Sequence, residues 1–182
     1  IKEIRVEEIA KKDEFLKTKL LTRAEVKNAI DLVIKQIDAN IEYFKDKFPS
    51  STTKNNEYGI IENIEWTDGF WTGLLWLAYE YTGDEKYREL ADKNVASFKN
   101  RVEKDIELDH HDLGFLYSLA TVSGYKLTGS EDAREASIKA ANKLTSRYQE
   151  KGEFIQAWGE LGRKDHYRFI IDCLLNILLL YW

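Results

Sequence analysis

Three parts of the chain concentrate the residue types that could do chemistry. The first is Trp66-Thr67-Asp68-Gly69-Phe70-Trp71 and the second is His110-His111-Asp112. The third combines Gln156-Ala157-Trp158-Gly159 with Arg168-Phe169-Ile170-Ile171-Asp172-Cys173. Aromatic rings beside carboxylates suit a sugar, whose apolar face stacks on a ring while its hydroxyls bond carboxylate and imidazole. Trp66 and Trp158 are the stacking candidates. Trp71 and Trp76 continue along a helical pattern and read as core.

Asp112 and Asp172 are the candidate acids, and each has a plainer reading. Asp112 stands where a helix should open, and could simply meet the free N–H groups of its first turn. Asp172 lies among Ile170, Ile171, Leu174, Leu175, Leu178 and Leu179, a run that reads as an apolar helix opening near Tyr167. An unpaired carboxylate buried there is costly. Asp172 is therefore expected either to pair with Arg168, one turn earlier, or to face a cavity where it can carry a proton. His110-His111-Asp112 is not a metal motif, because adjacent histidines on a helix diverge and no Cys/His cluster accompanies them; no metal is expected. Cys173, the single cysteine, excludes an internal disulfide and is expected to pack in the core. Neither a phosphate-cradling glycine loop nor a nucleotide fingerprint occurs.

These residues need elements to position them. The first twenty residues read as a short helix and linker. Thr22 and Glu25 have capping-box spacing, and apolar residues at Val26, Ile30, Val33, Ile34, Ile37 and Ile41 follow helical periodicity. A helix is expected over residues 23–47, then a polar loop over 49–59. A further helix should open at Thr67 or Asp68 and run to Tyr81, where Gly83 supplies a left-handed stop. Asp84 then caps a helix reaching Val102.

The same grammar returns. Residues 78–89 align with residues 124–135 at an offset of 46, with identity at Tyr79/Tyr125, Thr82/Thr128, Gly83/Gly129, Glu85/Glu131, Arg88/Arg134 and Glu89/Glu135. Such a period marks stacked supersecondary units. The fold class that follows is all-α, built from repeated antiparallel helix pairs. The Thr-Gly turns lie at one end, and the helix openings near Asp68, Asp112 and Tyr167 lie at the other.

The chain of 182 residues is expected to form one helical domain over residues 1–182. A net charge of -5 without a basic stripe argues against nucleic acid, and the lack of a long uncharged apolar run argues against a membrane span.

Glu65-Trp66-Thr67-Asp68-Gly69-Phe70-Trp71-Thr72-Gly73, Leu108-Asp109-His110-His111-Asp112-Leu113-Gly114-Phe115 and Arg168-Phe169-Ile170-Ile171-Asp172-Cys173-Leu174-Leu175-Asn176 together resemble unsaturated glucuronyl hydrolases, glycoside hydrolase family 88, and its streptococcal members in particular. The resemblance runs through nearly the whole chain and is to the family's N-terminal half. It implies about half of an (α/α)6 toroid. It implies a substrate left by polysaccharide lyases, an unsaturated chondroitin or hyaluronan disaccharide. Water would add across the C4=C5 double bond rather than displace at the anomeric carbon. By position, Asp172 matches the family's general acid and base, and Asp112 its second essential carboxylate. His111, Trp66 and Trp158 match residues lining the sugar. The resemblance implies no metal, no organic cofactor and a cytoplasmic setting. At half the family's length, the chain is expected to pair as a homodimer or with a missing C-terminal half. Two alternatives stand beside this reading, a non-catalytic helical scaffold and an unsaturated rhamnogalacturonyl hydrolase.

Overall fold

A computed structural model describes residues 7–182. The chain divides into two compact units, residues 1–36 and 37–182, with the boundary inside one helix. The first unit holds α1 (Lys12–Leu16), the short helix expected near the start; the part of that expectation falling on residues 1–6 lies outside the described residues. It also holds the opening of α2 (Arg23–Phe44). The capping box forms as its spacing predicts: the Thr22 N–H donates to Glu25 Oε2 at 2.7 Å and the Glu25 N–H to Thr22 Oγ1 at 3.2 Å. The helix stops at Phe44, before the expected end, because Lys45 turns left-handed at φ 56°.

The second unit corrects one expectation at once. The segment read as a polar loop is an antiparallel hairpin of β1 (Phe48–Lys54) and β2 (Glu57–Ile61). Its turn is Asn55-Asn56, with φ of 54° and 63°. Two left-handed residues give the turn whose twist matches paired strands, and asparagine tolerates that region. The flanking Thr52, Thr53, Tyr58 and Ile60 favour extended backbone. A second, two-residue ladder joins β3 (Tyr148–Gln149) to β4 (Phe154–Ile155).

The helix pairs follow. α3 (Asp68–Thr82) and α4 (Glu85–Glu103) form the first. The second begins with α5 (Leu113–Tyr117), passes through a π-helical turn (Ser118–Val122) into α6 (Ser123–Thr128), and returns along α7 (Glu131–Thr145). The two turns match almost atom for atom. Gly83 and Gly129 have φ of 70° and 71°, and their N–H groups reach Tyr79 O and Tyr125 O, each at 2.8 Å. Thr82 and Thr128 hydroxyls donate to Ala78 O and Gly124 O, each at 2.7 Å. Asp84 and Ser130 then cap the returning helices. The repeat is therefore structural.

Between the pairs the core holds Leu75, Trp76, Tyr87, Phe98, Leu116, Tyr117 and Leu144, with Ala91, Ala133, Ala136 and Ala140 letting helices approach closely. Trp71 and Trp76 are buried, as their helical pattern predicts. The Trp76 indole N–H donates to Ala120 O at 2.7 Å, a carbonyl inside the π-helical turn. Wider turns of this kind recur near functional sites, and this one lies one turn beyond Asp112.

The third helix opens later than its apolar run suggests. Residues 167–172 are irregular, and the helix begins as α8 (Cys173–Asn176), followed by α9 (Leu178–Tyr181). A backbone pairing competes with helix here, since the Ala157 N–H donates to Arg168 O at 2.9 Å. Asp172 thus precedes the helix instead of riding within it. No helix among the described residues is long and apolar enough to cross a membrane.

Candidate active site

Two buried arginines hold the segments that carry the candidate residues. Arg101, at the end of α4, donates to Asn63 Oδ1 (2.8 Å) and Glu65 O (3.0 Å) on one side, and to Ile106 O (3.1 Å) and Glu107 O (3.1 Å) on the other. One guanidinium thereby fixes the approach to Trp66 and the approach to His110. Asp68 sits 3.4 Å from it and accepts the Glu65 N–H at 2.9 Å. Burial pushes the Asp68 carboxyl up to about 7, against the pull of Arg101. Arg147, just past α7, donates to Gln156 O at 2.9 Å and Gly159 O at 3.0 Å, bracketing Trp158. The Gln156 amide adds a bond to Trp158 O at 3.1 Å.

That bracketed segment delivers the next contact. The His111 N–H donates to Ala157 O at 2.7 Å, so the histidine pair lies against the Trp158 segment. The His111 ring is fully buried, 6.5 Å from the Trp158 ring. Its Nε2 lies 3.3 Å from Asp112 Oδ1 and 3.6 Å from Asp172 Oδ1. Its Nδ1 lies 3.0 Å from Cys173 Sγ. Burial holds the imidazole below its ordinary value, outweighing the two carboxylates.

Asn176 completes the frame. Its amide nitrogen donates to Asp112 Oδ1 and to Asp172 O, both at 3.3 Å, and its Oδ1 accepts the Phe115 N–H at 2.9 Å. α5 and α8 meet so closely at this point that a Cβ on Gly114 would strike the Asn176 backbone.

The structure therefore brings Asp112, Asp172, His111 and Trp158 together. Trp66 joins through Phe115, its ring centroid 6.1 Å away. Trp66 and Trp158 both keep nearly half their surface exposed, as a stacking platform must. Both plainer readings of the acids fail. Asp112 precedes α5 but makes no side-chain cap bond; it faces His110, His111 and Asn176 instead. Arg168 does not pair with Asp172, because no helix connects them; its guanidinium lies 5.8 Å over the Trp158 ring. The side chains of Asp112 and Asp172 are 16% and 34% exposed, within reach of solvent and of a ligand.

His111, Asp172 and Cys173 place possible metal ligands within 4.8 Å of one another. Tetrahedral zinc with bonds of about 2.0–2.1 Å to nitrogen and 2.3 Å to sulfur would set those two ligands roughly 3.5 Å apart. The His111 Nδ1–Cys173 Sγ distance is shorter, 3.0 Å, and forms a hydrogen bond.

Sequence reasoning missed Asn176, the Cys173 contact and both arginines. A signal for the arginines existed, since Arg101 and Arg147 are themselves 46 residues apart, in step with the repeat.

The chain belongs to glycosyl hydrolase family 88, whose model matches residues 33–182. It is 57% identical over its full length to an unsaturated chondroitin disaccharide hydrolase of Streptococcus pneumoniae, and 48% identical over 144 residues to the unsaturated glucuronyl hydrolase of Bacillus sp. strain GL1. Among solved structures, the unsaturated glucuronyl hydrolase of Streptococcus agalactiae matches with a TM-score of 0.94 at 56% identity, covering 100% of this chain and 46% of that one. A mutant of that enzyme has been solved complexed with dGlcA-GalNAc6S. The chain spans about half the length of the curated relatives it matches, 46% of the streptococcal proteins. The relatives are (α/α)6 toroids, and the helix pairs of this chain correspond to about half of one.

Proposed function

We propose that this chain carries the acid–base half of an enzyme that hydrates unsaturated glucuronyl disaccharides released from chondroitin or hyaluronan. The observation that carries the reading is the convergence of Asp112 and Asp172 on His111 Nε2, at 3.3 and 3.6 Å, beside an exposed tryptophan. Membership of a family whose relatives act on such disaccharides supports it.

In this reading the sugar ring stacks on Trp158 and Trp66. Asp172 gives its proton to C4 of the double bond and takes one from the water that adds at C5, so it ends as it began. The hydrated ring is a hemiketal, which opens and expels the remaining sugar. Asp112 and His111 hold sugar hydroxyls and keep Asp172 in place. Asn176 ties Asp112 to the backbone of Asp172, so the carboxylates act as a unit. These steps use protein side chains and water alone.

Loss of the ultraviolet absorbance of the conjugated double bond tests the proposal. An unsaturated chondroitin disaccharide should lose absorbance with the wild-type protein. Asp172→Asn should slow that loss by roughly 10²–10⁴-fold, the usual contribution of a general acid–base group, with the circular dichroism of the fold unchanged. Faster turnover of an unsaturated rhamnogalacturonan disaccharide would move the substrate assignment. A folded protein that acts on neither would leave the scaffold reading.

A further inference from the structure

Burial disfavours the charged form of the His111 ring, and in the neutral form its two nitrogens share one proton. Nε2 faces Asp112 Oδ1, the nearer oxygen, which already acts as an acceptor for the Asn176 amide, with Asp172 Oδ1 just beyond. A bare Nε2 would set lone pair against lone pair where water offers little screening. The proton therefore belongs on Nε2. That leaves Nδ1 as a buried acceptor, which is costly unless something donates to it.

Cys173 Sγ, 3.0 Å away, is the group that can. Building on the reading of Asp112 and Asp172 as the working carboxylates, we propose that Cys173 is a positioning residue whose thiol donates to His111 Nδ1, committing the imidazole proton to Nε2 between the two acids. The thiol's other acceptor, Ile155 O, is farther off at 3.8 Å. Burial raises the thiol above its ordinary value, which keeps the S–H present to donate. The consequence is chemical. A neutral ring with its N–H on Nε2 donates toward Asp112 and places no positive charge beside Asp172, which is left to carry the proton it delivers to C4.

The chain has three histidines, so nitrogen NMR of the intact protein labelled at histidine resolves the matter directly. The wild-type protein should show His111 with a protonated Nε2 and an unprotonated Nδ1. Cys173→Ser keeps a donor and should retain this tautomer and most of the turnover. Cys173→Ala should shift proton population to Nδ1 and lower kcat about tenfold, the equivalent of one hydrogen bond to a charged or buried group, with KM little changed. Two results overturn the proposal. One is a wild-type His111 protonated at Nδ1, and the other is a Cys173→Ala protein that keeps the wild-type tautomer. If Cys173→Ala does not fold, the wild-type and Cys173→Ser spectra decide. Absent turnover on every disaccharide would sink the activity reading while leaving the tautomer measurable.

Discussion

The two ends of the helix pairs are held by different kinds of bond. At the Thr-Gly end the turn itself is shaped by bonds whose donor and acceptor are no more than four positions apart, as in Thr82 to Ala78, Gly83 to Tyr79 and Asp84 to Thr82, while the Tyr87 hydroxyl beside the first turn ties it to Asp38. At the carboxylate end the decisive contacts join residues far apart in the chain. Arg101 reaches Asp68 across 33 positions, His111 reaches Cys173 across 62, and Asn176 reaches Asp112 across 64. Local bonds can be copied whenever the repeat is copied, so the turn appears twice. Long-range bonds depend on three segments arriving together, so the site is assembled once.

The largest effect should come from the long-range end. Arg101→Ala leaves Asp68 buried without its partner and strips bonds from Glu65 O, Ile106 O and Glu107 O. Breaking a buried pair in this way costs about 3–5 kcal/mol, measurable by chemical denaturation. Arg147→Ala should cost less, because the Asp109 beside it is 90% exposed and resolvates freely. Its effect should fall on the Trp158 segment and raise KM. Equal losses from the two variants would blur the contrast between them.

Gly114→Ala comes next. A methyl there meets the Asn176 backbone and can be accommodated only by parting α5 from α8. Overpacking of this kind costs about 1–3 kcal/mol, and turnover should fall further than stability does, since Asp112 and Asp172 ride on the two separated segments. The smallest effects belong to the turn end. Gly83→Ala and Gly129→Ala meet no neighbouring atoms, so only the left-handed backbone resists. Each should cost roughly 1–2 kcal/mol, nearly the same for both, additive when combined, and without change in turnover. A clear inequality between them would break the equivalence of the two turns.

What could be read from sequence divides along the same line. The capping box at Thr22, the stops at Gly83 and Gly129 and the repeat between them are local chemistry, and all appear where their spacing puts them. Asp112 and Asp172 were recognisable as residue types, while the contacts that take them away from capping and from Arg168 depend on tertiary packing. The Asn55-Asn56 hairpin was legible in principle, but it was hidden by a polar composition that also suits a loop. The late start of α8 was not legible, because the Arg168 carbonyl is engaged by the Ala157 N–H from a segment eleven positions earlier.

The proposed chemistry requires Asp112 and Asp172 to work as one unit about His111. A double-mutant cycle on turnover, using Asp112→Asn, Asp172→Asn and the pair together, tests it most directly. Groups that act as a unit are strongly non-additive, so the double variant should be little slower than Asp172→Asn alone. Losses that simply multiply would contradict the claim and leave the carboxylates as two independent contributors.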